Sequence, residues 1–281
     1  MTIKDASPAA ELCRILGCEE NEIDLAETAL RIAEKEYPGL DVQHYLGRLD
    51  ELAARALSHL PVRAGPVETV AALNRELFEI QGFRGNTEDY YDPRNSYLNE
   101  VLDRRLGIPI TLSIVYMAVG RRLGLALEGV AFPGHFLVKL TTDDSMLVLD
   151  PFIRGLALSE AELSLRLREV LSTDVPVFTT DLLATAGKKE ILTRMLRNVK
   201  GIYLHKQEFG RALYTANCLL LLTPNSSDEL RDRGLIYERL ECFRAALEDY
   251  QRYLELAPQA ADRHEIRARL PTLLSATARL N

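Results

Sequence analysis

His135 and Asp150 are the two residues whose types and spacing most directly suggest chemistry. An imidazole oriented by a carboxylate is the general-base half of a nucleophilic site, which activates a Cys, Ser or Thr toward an acyl carbon. Upstream, Gly107-Ile108-Pro109 leads into the apolar stretch IPITLSIVYMAVGRRLG. A helix N-terminus stabilises a thiolate, yet this helix start carries Pro109 and no cysteine. Thr111 and Ser113 place hydroxyls in the first helical turns. Either is a candidate nucleophile if it meets His135, while the structural alternative is a bond to the carbonyl four residues back. Asn95, Ser96 and Asn99 precede this helix and are candidates to line the same cleft with Pro109. Asn95 or Ser96 equally suits the N-cap of a short helix, SYLNEVLDRR, where a side-chain oxygen accepts from a free first-turn N–H. The pairs Arg104-Arg105 and Arg121-Arg122 suit either anion binding or solvated faces with acidic neighbours.

These residues need elements to position them. Residues 8 to about 60 read as helical. Ile23, Ala26, Leu30 and Ala33 fall on one face, and Pro38-Gly39 ends that run. A second helix, with Val42, Tyr45, Leu46, Leu49, Leu52 and Ala53 on one stripe, stops at Pro61 and Gly65-Pro66. A third covers about Val67 to Gln81. The segment GFRGNTEDYYDPRNS reads as a loop. From Leu127 the pattern changes to short β-rich segments, LEGVAF, HFLVKL and SMLVLD. A hairpin centred on Thr142-Asp143 pairs residues whose numbers sum to about 285, which sets His135 opposite Asp150. A slip in register would remove that pairing. A helix near 159–171 and a linker, STDVPVFTTD, follow.

Composition narrows the class. A 281-residue chain with 47% hydrophobic and 27% charged residues suits a globular protein of one large or two ordinary domains. A net charge of −7 argues against a sequence-independent nucleic-acid binder, which needs a basic face. The start, MTIKDASPAAELC, lacks a basic segment followed by an apolar run, so no secretory signal is expected. Ile108 to Gly120 falls short of the roughly 20 residues that span a bilayer. It reads as a buried core helix. Cys13, Cys18, Cys218 and Cys242 form no CxxC pair and have no histidine at ligand spacing. They read as buried free thiols of a cytoplasmic protein, and neither metal nor cofactor is expected.

The last third repeats itself. A shift of 34 residues sets Tyr203 on Tyr237, Phe209 on Phe243, Ala212 on Ala246, Leu213 on Leu247 and Pro224 on Pro258. Paired helices at this period are the mark of tetratricopeptide repeats. Gly234 and Tyr250 also fit the pattern, whereas their counterparts Lys200 and Ala216 do not. Two repeats and a terminal helix, 261–280 broken at Pro271, are expected. Such arrays usually present a concave surface to a protein or peptide.

The order Gly107, Arg121, Gly124, His135, Asp150-Pro151 resembles the transglutaminase-like superfamily. On that resemblance the family's cysteine maps onto Pro109, its alanine onto Ser113, and the tryptophan after its histidine onto Leu137. The stretch DPRNSYLNEVLDRRLGIPITLSIVYMAVGRRLGL, then EGVAFPGHFLVKL and LDPFIRG, with EYPGLD at 36–41, resembles the bacterial SirB transglutaminase-like family. The resemblance covers most of the chain. It implies an α+β fold: a papain-like core with an antiparallel sheet and N-terminal helices over residues 1–180, then an all-α repeat module over 186–281. With Pro109 where that family has its cysteine, a bacterial pseudoenzyme is expected, in which His135 and Asp150 are a vestigial pair. The expected role is protein interaction or regulation, through the degenerate cleft and the repeats, without nucleic acid or membrane. The alternative is an acyl-transfer or amide-hydrolysing enzyme using Ser113 or Thr111 with His135 and Asp150.

Overall fold

Residues 8–142, 145–171 and 178–279 are described by a computed structural model. Helices α1 (Pro8–Gly17), α2 (Leu25–Ala33), α3 (Val42–Ser58) and α4 (Pro66–Asn74) come first. Strand β1 (Arg84–Gly85), helix α5 (Leu98–Arg104), strand β2 (Leu106–Gly107) and helix α6 (Pro109–Arg122) follow. Next are strands β3 (Leu127–Val130), β4 (Leu137–Thr141), β5 (Met146–Asp150) and β6 (Leu156–Leu158), then helices α7 (Glu160–Leu171) and α8 (Lys188–His205). The rest is helical: α9 (Phe209–Leu222), α10 (Ser227–Arg239), α11 (Phe243–Leu256) and α12 (Arg263–Arg279). Contacts divide the chain into two units, Met1–Met195 and Leu196–Asn281, and the division falls inside α8. The first unit is α+β and the second is all-α.

The N-terminal helices begin where side chains supply acceptors. Asp24 and Asp41 cap α2 and α3 by accepting from the N–H groups of Glu27 and His44. The third expected helix changes pitch midway, because Arg75–Ile80 forms a π-helical turn after α4. Helix α6 is the axis of the unit, with Pro109 through Met117 all buried. A helix apolar on every face needs neighbours all round, and α6 packs on α2, α3, α5, β3 and β4. Pro109 suits its first position, since the missing N–H has no intrahelical partner there.

Strands β3-β4-β5-β6 form an antiparallel sheet in sequence order. The expected hairpin register is corrected. Pairs Val138–Leu149 through Thr141–Met146 sum to 287. The Thr142 N–H donates to the Ser145 carbonyl at 2.8 Å, and the Ser145 N–H donates to the Thr142 hydroxyl at 3.1 Å. These bonds close the hairpin one residue later than expected, and Asp143 of the expected turn lies outside the described residues. An even slip keeps each side chain on its face, so the alternation gave no warning. Most of the expected linker, residues 172–177, also lies outside the described residues. The segment read as a loop contains β1, which pairs in parallel with β2.

In the second unit, α9, α10 and α11 follow the 34-residue offset. Gly234 lies against Tyr250, where an added Cβ would stand 2.6 Å from the ring. Ala212, Ala246 and Tyr250 are fully buried. Helix α12 runs through Pro271 without a break, which corrects the expected interruption. The cysteine expectation is also corrected. Cys218 is buried and Cys18 is partly covered, but Cys13 and Cys242 are exposed. None forms a disulfide. Among the described residues no helix is long and apolar enough to cross a membrane.

Candidate functional site

His135 does not sit in a strand. It ends the turn Pro133-Gly134-His135 just before β4, where its N–H donates to the Phe132 carbonyl at 3.1 Å. Gly134 has φ +69°, a conformation that suits glycine. From this turn the imidazole still reaches the end of β5. His135 Nε2 lies 3.0 Å from both Asp150 carboxylate oxygens. The contact is thus made by the turn, two residues off the strand register that had been expected to make it.

Asp150 is fully buried and has two further partners. Arg166 Nη1 of α7 donates to Oδ2 at 2.6 Å, and the Phe152 N–H donates to Oδ1 at 3.0 Å. Burial alone would push this carboxyl up. Hydrogen bonds and charge from His135 and Arg166 outweigh that and hold it below the ordinary carboxylate range. Arg194 of α8 fixes the other side of the turn by donating to the His135 carbonyl at 2.7 Å. Its guanidinium is pushed below its ordinary value by burial. Sequence reasoning missed both arginines. No motif marks the position of either one.

The imidazole side chain is 20% exposed. Its ring meets Phe152 edge-on at 5.9 Å, and Phe152 in turn meets Tyr90 at 6.4 Å. Gly85 makes room for the Phe152 ring, which a Cβ there would overlap. Nε2 serves Asp150, and among the described residues no group is hydrogen-bonded to Nδ1.

The expected nucleophiles do not complete this pair. Thr111 is buried, and its hydroxyl donates toward the carbonyls of Asn95 (2.7 Å) or Ile108 (3.2 Å) while accepting from the Ile108 N–H (3.1 Å). Ser113 is buried with no hydrogen-bond partner. Neither hydroxyl bonds His135.

Asn95, Ser96, Asn99 and Pro109, expected along a cleft, are all buried. The Asn95 amide donates to the carbonyls of Asp89 and Tyr90 and accepts from Asn86. It pins the loop that carries Tyr90. It does not cap α5, whose N-cap is Tyr97 with no side-chain bond. Ser96 Oγ and Asn99 Oδ1 are buried without partners. One arginine of each pair is held by a carboxylate. Arg104 approaches Asp92 at 3.4 Å, and Arg122 bonds Asp50 at 2.5 Å. Among the described residues no cluster of His, Cys, Asp and Glu is placed to hold a metal.

The transglutaminase-like superfamily matches residues 43–197, which contain this whole constellation. Tetratricopeptide repeats match residues 199–271. A UPF0162 protein of Xylella fastidiosa is 41% identical over 91% of this chain and 92% of its own length. The UPF0162 protein YchA of Escherichia coli is 31% identical over 93% and 92%. Protein SirB1 of Salmonella typhimurium is 29% identical over 89% and 90%. With likeness running nearly end to end through both modules, the chain belongs to the SirB/UPF0162 family of transglutaminase-like proteins with tetratricopeptide repeats.

Proposed function

We propose that this protein is a catalytically inactive member of its family that works by binding a protein or peptide partner in the bacterial cytoplasm. The observation that carries this reading is Pro109 where the family resemblance places the nucleophile, in a chain whose His135–Asp150 pair remains assembled. A proline side chain cannot attack a carbonyl, and the nearby hydroxyls are spent or buried. Acyl transfer through Thr111 or Ser113 needs a hydroxyl in reach of the base, and the reading is supported by the Thr111 hydroxyl bonding backbone groups and the Ser113 hydroxyl having no hydrogen-bond partner.

Two surfaces suit binding. The turn around His135 offers a ring nitrogen with no hydrogen-bond partner among the described residues, with Phe152 against the imidazole and Tyr90 against Phe152. In the repeats, a cavity of about 470 Å³ is lined by Leu204, Phe209, Leu235 and Arg239 among others. The Arg239 guanidinium lies 4.9 Å over the Phe209 ring, an arrangement that suits a partner able to use both charge and apolar surface.

The test pairs activity with binding. Amide hydrolysis and transamidation are assayed with the wild type and with His135→Ala, whose folding is checked by thermal unfolding. No turnover is expected from either. Turnover by the wild type that disappears in a folded His135→Ala protein would falsify the proposal. A partner captured by the full chain should be lost with Arg239→Glu or His135→Ala. Equal retention by both variants would remove these surfaces from the reading.

A further inference from the structure

Helix α6 begins at Pro109, and at its other end lies a second cavity, of about 400 Å³. This volume is typical of small-molecule sites. Its walls are apolar, with Ile114, Met117 and Ala118 of α6 facing Leu125, Leu127 and Ile191. Its rim carries three cations, Arg121, Arg122 and Lys188, against two carboxylates, Asp24 and Glu128. The excess of positive charge stands out in a chain whose net charge is −7.

The rim charges differ in how far they are committed. Arg122 is held by Asp50 and by the Ala118 carbonyl. Asp24 caps α2, and Glu128 approaches Lys139 at 3.6 Å. Lys188 gives its shortest bond to the Ile23 carbonyl at 2.6 Å and reaches the Asn21 carbonyl only at 3.4 Å, and an ammonium has three donors. Arg121 is 73% exposed, and its link to Asp24 is a loose 3.8 Å. An exposed pair at that distance contributes little, so the Arg121 guanidinium is open to an incoming anion.

We propose that this cavity binds a free medium-chain carboxylate, with the alkyl chain on the apolar walls and the head group at Arg121 and Lys188. A peptide is the poorer fit, because the neighbouring sheet edge is already closed at Gly129 and Val130. The Ala186 N–H donates to the Gly129 carbonyl, and Thr185 bridges Val130 of β3. That leaves a peptide backbone only Leu127 and Glu128 of β3 to pair with, whereas an alkyl chain needs no edge. The site is independent of the His135 turn and of the binding role proposed above.

Isothermal titration calorimetry on the full chain tests this with decanoate, octanoate, decylamine and a tripeptide ending in leucine. Decanoate should bind saturably at one per chain. Octanoate should bind at least tenfold more weakly, since each buried methylene is worth about fourfold. Decylamine should show no saturable binding, and Arg121→Ala should weaken decanoate at least fivefold. Ala118→Phe, which fills the cavity, should abolish binding in a protein with an unchanged melting profile. The proposal is overturned if decanoate does not saturate, or if decylamine or the peptide binds as tightly. It also fails if Arg121→Ala and Ala118→Phe both leave decanoate binding intact.

Discussion

Two buried carboxylates, one in each unit, are held in nearly the same way. Asp150 is met by His135 Nε2 at 3.0 Å and Arg166 Nη1 at 2.6 Å. Glu229 in the repeats is met by Arg197 Nε at 2.7 Å and Lys200 Nζ at 2.6 Å. They differ in what is left over. Lys200 is only 5% exposed and spends a second bond on Asp232. It comes from the same helix as Arg197, so the cluster simply fastens α8 to α10. At Asp150 one partner is an imidazole on a turn, with its second nitrogen uncommitted. A buried ion pair is thus not in itself a functional mark; in the proposed function it is the second ring nitrogen of His135 that sets Asp150 apart.

Removing either carboxylate strands buried nitrogen donors and should give the largest losses. Asp150→Ala and Glu229→Ala should each destabilise by about 3–5 kcal/mol, measured by urea unfolding. The pairing of Lys200→Met with Glu229→Leu should recover most of the loss, because a buried ion pair can be replaced by apolar groups of similar size. If Glu229→Ala costs under about 1 kcal/mol, water reaches that cluster and the likeness to Asp150 fails.

The two repeats sharpen the same contrast. Gly234 leaves space for the buried Tyr250 ring, whereas the equivalent positions of the first repeat are Lys200 and Ala216. The small Ala216 replaces the ring, and Lys200 turns the position into an ion-pair site. Gly234→Ala should therefore destabilise by about 2 kcal/mol through overpacking, read from the urea midpoint. Because Lys200 already has a Cβ at the matching place, a loss this large is expected only in the second repeat.

Much of this was legible in the sequence where one signal sufficed. The 34-residue offset survives where matched residues are packed alike, as Ala212 and Ala246 are, both fully buried. The apolar helix from Pro109 is legible because its wrapping by neighbours demands apolar residues on every face. The His135–Asp150 contact was expected, but by the wrong route. Strand alternation is blind to a two-residue slip, and the turn that carries His135 obeys no period. Arg166 was not legible, because α7 shows only Leu163 and Leu167 as its buried pair and marks no third position for chemistry. Asn95, expected as a cleft residue or a cap, is neither a cap of α5 nor exposed, since its bonds to Asp89, Tyr90 and Asn86 follow from loop geometry rather than from its place before a helix.

The remaining two predictions separate the partners of Asp150. Arg166→Met should cost about 1.5 kcal/mol near neutral pH, a charge-assisted bond reduced by partial exposure. It should also change the acid limb. Because the Asp150 carboxyl is held below its ordinary value, its stabilisation is complete above the ordinary carboxylate range, about pH 4, and is lost as pH falls through the lower folded value. Without Arg166, burial is less opposed and the carboxyl rises, so acid unfolding should begin at a higher pH. His135→Ala should have the smallest effect, about 1 kcal/mol or less at neutral pH, because the ring is partly exposed and Arg166 remains on the carboxylate. A fastening role would make the order of these two costs depend only on burial and bond strength. A ligand site adds an asymmetry. With a bound partner present, the His135→Ala protein alone should lose the extra stability that binding confers, whereas Arg166→Met should keep most of it. Equal ligand-induced shifts in melting temperature for the two variants would make His135 as structural as Lys200 and remove the difference between the two carboxylates.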